Sequence, residues 1–230
     1  MKRQFSVFLS VVQIYNEVIS DLLAKGEAKT LKLRRNRLGQ FFAENQTQKL
    51  VTSPEQVMKK LNKAQGKRKC AATSMNDESS RSHLIMTLTL VDVDKKKVVT
   101  GAKLNLVDLA GSERVKDSGV SGQALQEAGY INKSLYTLAG VVDGLCKGAK
   151  IIPYRDSKLT SLLADSLGGN CKTTLLGCLS PAQDYCRESN NTLKFAHSCK
   201  KIENVLKRNK FKGSIPAGTL PLDLKTGNSR

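Results

Sequence analysis

Two short segments hold the residues whose types and spacing could do chemistry. Asn76-Asp-Glu-Ser79-Ser80-Arg81-Ser82-His83 places adjacent hydroxyls, a guanidinium and an imidazole in eight residues, just before an apolar run. Leu106-Val-Asp108-Leu-Ala-Gly111-Ser-Glu113 follows another such run. An apolar strand ending in Asp puts a carboxylate at the carboxyl end of a sheet, where α/β proteins bind ligands. In phosphate-transferring enzymes such a carboxylate sits near Mg²⁺. The Gly three residues later lets a backbone N–H approach a phosphate with no side chain in the way. The hydroxyls of the first segment suit Mg²⁺ and phosphate, and Arg81 is a charge partner for Glu113. An ordinary strand-to-loop Asp with a turn Gly, and a polar loop whose serines cap nearby backbone, would give the same residues.

The elements that must position these segments read as α/β, because strand-like and helix-like stretches alternate. Residues 5–14 read as a buried strand. Residues 26–52 read as basic loops and short strands. Ser53, Pro54 and Gln56 form a helix start, with Val57, Leu61 and Ala64 on one face and Gly66 as its stop. Residues 84–91 and 98–108 read as strands joined by a turn at Asp94-Lys95-Lys96. Ile131, Leu135, Leu138, Val142 and Leu145 keep helical spacing. Asp156 reads as the cap of a helix carrying Leu159, Leu162 and Leu163 and stopped by Gly168-Gly169. Residues 174–180 read as a strand, and a last helix from about Ser189 presents Phe195, Cys199, Ile202 and Leu206.

The composition bounds what this framework does. The chain has 230 residues, 40% of them apolar, which supports a real core. Lys and Arg number 38 against 20 acids, a net +18, so a polyanionic partner is expected: nucleic acid, an anionic membrane or an acidic protein surface. Residues 25–75 alone carry thirteen Lys/Arg against three acids. Aromatics are 5% and Trp is absent, which disfavours a base-stacking nucleic-acid platform. No run reaches the ~18 apolar residues of a membrane span. Lys2-Arg3 before the apolar run at Phe5 faintly resembles a signal peptide, but no cleavage site follows. Six scattered cysteines without a CxxC pair, and two histidines, disfavour a zinc cluster or a disulfide framework and suit a reducing compartment. No heptad pattern for a dimerising coiled coil is present.

Together the two segments resemble the NxxSSRSH and DLAGSE switch elements of the kinesin motor domain. Four more ordered motifs extend the likeness: Ile14-Tyr-Asn-Glu17 with Asp21-Leu-Leu23, Ile131-Asn-Lys-Ser-Leu135, Pro153-Tyr-Arg-Asp-Ser-Lys-Leu-Thr160, and Gly168-Gly-Asn-Cys-Lys-Thr-Thr174. They cover most of residues 5–206. The resemblance implies a partial motor domain over residues 1–206 and a basic, then Gly/Pro/Thr-rich, flexible tail over 207–230. The implied fold is P-loop-nucleotidase-like α/β, with a central mixed sheet flanked by helices.

The resemblance also implies ATP and Mg²⁺ as cofactors and microtubules as the partner, in the cytoplasm on the cytoskeleton. By that likeness Ser80 holds Mg²⁺ and Asp108 holds it through water. Ser79 and Gly111 sense the γ-phosphate, Arg81 and Glu113 form the ion pair that closes the site around the hydrolytic water, Asn76 and Asn132 join Ser80 and Asp108 in binding the cofactor, and Asn132 lies near the switches. Lys116, Lys147, Lys150, Arg155 and Lys158 face the acidic track. Gly129-Tyr130 stands where the family has Lys-Asn, which removes a cation and weakens the helix there. The chain contains no G-x-x-x-x-G-K-[ST] motif, which the family places upstream of the strand at 5–14. The family's P-loop strand lies mid-sheet, so an incomplete fold is expected: a fragment of a full motor, a short chain that binds microtubules without turnover, or a fold completed by another segment or chain.

Overall fold

The computed structural model describes residues 5–70, 78–93, 99–112, 123–207 and 209–211. Residues 1–110 together with 208–230 form one compact unit, and residues 111–207 form another. Among the described residues no helix is long and apolar enough to cross a membrane.

The first unit is a seven-stranded sheet in the order β3 (Lys29–Leu31), β2 (Val18–Asp21), β1 (Phe5–Tyr15), β7 (His83–Val93), β8 (Val99–Asp108), β9 (Lys210–Phe211), with β6 (Lys49–Val51) also on β1. Its centre is β1 (Phe5–Tyr15), a continuous apolar strand that pairs along one side with β7 (His83–Val93). Its other side is shared by β2 (Val18–Asp21) near Val12–Tyr15 and β6 (Lys49–Val51) near Val7–Leu9. β3 (Lys29–Leu31) adds to β2, and β8 (Val99–Asp108) adds to β7. A separate hairpin joins β4 (Leu33–Arg35) to β5 (Phe41–Ala43). Every ladder among the described residues is antiparallel, where a mixed sheet was expected. The neighbours β1–β2 and β7–β8 are joined directly rather than through a crossover helix.

Local chemistry explains the turns. Asn16 and Glu17 link β1 to β2 with φ of 52° and 58°, the conformation of a tight two-residue hairpin that matches strand twist. Asp21 is fully buried; its carboxylate accepts from Leu23 N at 2.9 Å and from Thr47 N at 2.7 Å. One side chain thus closes the turn after β2 and fastens the chain ahead of β6.

α1 (Pro54–Cys70) covers one face of the sheet. Val57, Leu61 and Ala64 pack against Leu9, Val11, Leu84 and Met86. Ser53 accepts from Gln56 N at 3.4 Å, and the Gln56 amide oxygen accepts from Thr52 N, so the expected helix start forms. Gly66 does not stop it. The extra turn is held by tertiary bonds: Lys67 Nζ donates to Ala24 O at 2.6 Å, and Arg68 is anchored beneath the sheet. Such contacts outweigh the ~1 kcal/mol helix penalty of glycine.

In the second unit, α3 (Gln123–Cys146) runs unbroken through Gly129-Tyr130 and buries Leu138, Val141 and Val142. α4 (Lys158–Leu162) is capped by Ser157, whose hydroxyl accepts from Thr160 N, and not by Asp156, which lies in the preceding 3₁₀ turn Tyr154–Asp156. α5 (Cys186–Cys199) starts before Ser189 and ends before Ile202 and Leu206. Past it, Asn204 takes over the fastening. Its amide N–H donates to Ser166 O and Cys171 O, and its oxygen accepts from Gly168 N at 2.8 Å.

Residues 174–180 are not a strand. No neighbour pairs with them among the described residues, and Leu176 is 87% exposed. A strand without a partner leaves its backbone groups to water and gains nothing from extension. Lys210–Phe211 form β9, which pairs with Val99 and Thr100 of β8, and the rest of the tail from 212 lies outside the described residues. The turn expected at 94–96 lies outside the described residues.

Replacing Asp21 by Ala leaves two part-buried amides without an acceptor. It should lower unfolding free energy by about 3 kcal/mol, read as a lower urea midpoint.

Candidate functional site

The antiparallel pairing of β7 with β8 places the start of one beside the end of the other: Leu84 faces Asp108, and Ile85 faces Val107. The hydroxyl-rich segment and the Asp108 segment, separated by the 22 residues 84–105, therefore meet at one end of the sheet. A short helix, α2 (Glu78–Arg81), carries Ser79 and Ser80 into that corner. Ser80 is exposed and Arg81 half-buried. Ser82 and His83, which follow, are buried.

Under the corner lies Arg68 of α1. Its Nε donates to Ser82 Oγ at 3.0 Å, one terminal nitrogen to Ser82 O at 2.7 Å, and the other to Asp108 Oδ2 at 3.1 Å. The Arg68 side chain is 6% exposed and that of Asp108 67%. The pair thus runs from the core to the surface, and the buried partner dominates its energetics. Stranding Arg68 costs far more than an exposed ion pair contributes. The imidazole of His83 completes the junction, its Nδ1 accepting from Ala110 N at 2.9 Å. Burial pushes its pKa down to about 4; the Arg68 guanidinium adds to the fall and the Asp108 carboxylate opposes it. His83 is therefore a neutral acceptor at ordinary pH.

At its surface this corner offers the Ser80 hydroxyl and a carboxylate with Oδ2 turned to Arg68. Both are hard oxygen donors of the kind Mg²⁺ takes alongside water and phosphate. Among the described residues there is no group of three or more His, Cys, Asp and Glu that could hold a metal by itself. The donors fit part of a Mg²⁺ sphere whose remainder is water and phosphate.

The kinesin motor domain family model matches residues 1–202. The chain belongs to the kinesin motor family. It is 45% identical over 213 residues to the kinesin-like protein KIN-12C of Arabidopsis thaliana, covering 90% of this chain and 10% of that protein. It is 41% identical over 209 residues to the kinesin heavy chain of Caenorhabditis elegans, covering 90% of this chain and 25% of that one. Among solved structures it superposes on a fast kinesin with a TM-score of 0.82 at 39% identity, covering 90% of this chain and 59% of that one. It also matches a KIF14 dimer on a microtubule with AMP-PNP, with a TM-score of 0.79 at 38% identity, 90% of this chain and 61% of that one. The chain thus spans about three-fifths of these solved kinesins and a quarter or less of the two curated relatives.

Within this kinesin chain, Ser80, Arg81 and Asp108 stand at one corner of the first unit. Ser79 lies on α2, and Asn132 on α3 of the second unit. Gly111 is half-buried and opens the second unit. Asn76, Glu113 and Lys116 lie outside the described residues. Lys147, Lys150 and Arg155 are exposed and Lys158 half-exposed, all within twelve residues of the second unit. Lys147 pairs with Asp143 at 2.7 Å across one turn of α3, an exposed contact of small energetic weight.

Sequence reading missed Arg68, and it gave Ser82 and His83 no role of their own. For Arg68 a signal existed: Val57, Leu61, Ala64 and Arg68 follow helical spacing, so the guanidinium falls on the buried face of α1. A lone cation on an apolar stripe asks for a buried acceptor.

Arg68→Met should cost about 3 kcal/mol of stability by stranding the Ser82 groups, and Asp108→Asn about 1 kcal/mol, because the carboxylate is largely solvated. Chemical denaturation of both variants tests this asymmetry. His83 supplies a pH signature. The unfolded imidazole takes a proton near 6.5 and the folded one only near about 4. Its contribution is therefore complete above pH 6.5 and falls by up to about 3 kcal/mol as the pH drops towards 4. His83→Asn, which keeps an acceptor and cannot titrate, should flatten that part of the stability–pH curve.

Proposed function

We propose that this chain is the switch and track-binding portion of an ATP-driven microtubule motor, acting on the cytoplasmic cytoskeleton. The supporting observation is the junction of Arg68, Ser82, His83 and Asp108, which joins both switch-like segments at one sheet end. Bound MgATP supplies the phosphoanhydride and the cation. Ser80 and Asp108 present oxygens to that cation, the latter through water, while Arg68 from below orients the Asp108 carboxylate. Ser79 and the Gly111 amide report on the terminal phosphate, and Asn76 and Asn132 take part in binding the nucleotide. Arg81 and Glu113 pair to exclude bulk water and position one hydrolytic water. An ion pair that forms in one nucleotide state alone biases a two-state element rather than adding static stability. Lys116, Lys147, Lys150, Arg155 and Lys158 meet an acidic track, a match that speeds encounter and fixes register.

A second reading is a microtubule binder without turnover. Co-sedimentation with microtubules separates the readings. In both, binding should weaken as salt rises, and Arg155→Glu with Lys158→Glu should weaken it by roughly an order of magnitude. In the motor reading, fusion to a P-loop-bearing kinesin segment yields microtubule-stimulated ATPase and ATP-dependent release, and Glu113→Ala abolishes both. Unchanged turnover in Glu113→Ala would sink that residue's role. Binding that ignores ATP in the fusion would leave the second reading.

A further inference from the structure

Cys146 is the last residue of α3 and Cys199 the last of α5. The Cys146 thiol donates to the carbonyl oxygen of Ser198 at 3.2 Å. That carbonyl belongs to the peptide that enters Cys199, and standard geometry puts a carbonyl oxygen roughly 2.8 Å from the next Cα. The Cys146 sulfur therefore lies within roughly 6 Å of the Cys199 Cα. A cysteine sulfur sits roughly 2.8 Å from its own Cα, so the two Cα atoms lie within roughly 9 Å; bonded cysteines have Cα atoms about 4.4–6.8 Å apart, and side-chain rotation with a helix shift of at most about 2 Å closes the gap. Both thiols are free and half-buried. Burial raises the Cys199 thiol to about 11, and the neighbouring Cys146 adds to the rise. The carbonyl end of α5 further disfavours a thiolate at Cys199, whereas a disulfide carries no charge to desolvate.

We propose that Cys146 and Cys199 form an oxidative modification site, in which a hydroperoxide converts the two thiols to a disulfide that staples the C-terminal ends of α3 and α5. The Cys146 thiolate attacks one peroxide oxygen. The O–O bond breaks, a sulfenic acid forms, and the second oxygen leaves as water after taking a proton. The Cys199 sulfur then attacks the sulfenic sulfur, the S–S bond forms, the S–O bond breaks, and the departing oxygen leaves as water with the Cys199 proton. Two thiols and one hydrogen peroxide give one disulfide and two waters; sulfur is oxidised and peroxide oxygen reduced.

The raised Cys199 thiol stays protonated near neutral pH, so the closing step is slow and quickens as pH rises. Its place gives it a consequence. α3 runs out into the segment with Lys147 and Lys150, and α5 runs out into the segment that Asn204 fastens at Gly168. A bond between the two helix ends fixes the spacing of these exits. The proposal is independent of the motor reading.

The test is peptide mapping of the full chain. The fully reduced chain is treated with hydrogen peroxide, capped with iodoacetamide, and digested without reductant. The expected product is a linked peptide pair containing Cys146 and Cys199, two hydrogens lighter than its parts and abolished by dithiothreitol. It should accumulate several-fold faster at mildly alkaline than at neutral pH. Cys146→Ser should remove the link and leave Cys199 capped; Cys199→Ala serves equally if the first variant misfolds. Capping of both residues in the oxidised native chain, or pairing of Cys199 with Cys178 or Cys186 instead, overturns the proposal.

Discussion

The buried guanidinium of Arg68 is the constraint on which the candidate site depends. A charge this deep is stable only when its donors are satisfied, and Arg68 reaches satisfaction at Ser82 Oγ, Ser82 O and Asp108 Oδ2. These acceptors lie at the start of β7 and the end of β8. Neither strand can slip against the other, nor α1 against both, without stranding the charge. The helix carries its own last turn past Gly66 for the same reason. His83 adds a second tie by accepting the Ala110 amide just beyond β8. The exposed Ser80 and Asp108 thus stand on a buried, hydrogen-bonded base.

The sheet shows a second constraint, the need of a strand for a neighbour. β1 is saturated on both sides and is the most buried strand of the unit. β8 pairs with β7 along its whole length, yet beyond Gly101 no second strand joins its other edge among the described residues. Leu104 there is 53% exposed. In the second unit the apolar run 174–180 is in the same position and stays outside regular structure. Both runs have the composition of interior strands, and pairing rather than propensity decides what they become.

Much of this architecture was legible in the residues. β1, β7, β8, α1 and α3 follow from apolar runs and helical spacing, and the Ser53–Gln56 start from cap chemistry. The misses share one cause. Gly66 reads as a stop because glycine weakens a helix locally, but Lys67 and Arg68 are held by distant partners. Asp156 is a good cap by type, yet Ser157 has the extended backbone that lets its hydroxyl accept from Thr160 N. Ile202 and Leu206 continue the helical stripe of α5, but the chain turns out at Lys200–Ile202 and Asn204 carries it to the Gly168 turn.

The candidate site divides along the same line. The sequence by itself determined the family, the identity of the switch-like residues and the charge of the proposed track face. These rest on residue types in fixed local order, which six motifs carry across most of the chain. Tertiary structure alone decided that Asp108 is backed by a buried arginine, that His83 is a neutral acceptor, and that Asp21 closes a turn. It also decided that Cys146 and Cys199 end two helices side by side. Each of these depends on which groups lose water and which distant partner replaces it. Burial and long-range hydrogen bonding are properties of the packed chain, and no local pattern of residues encodes them.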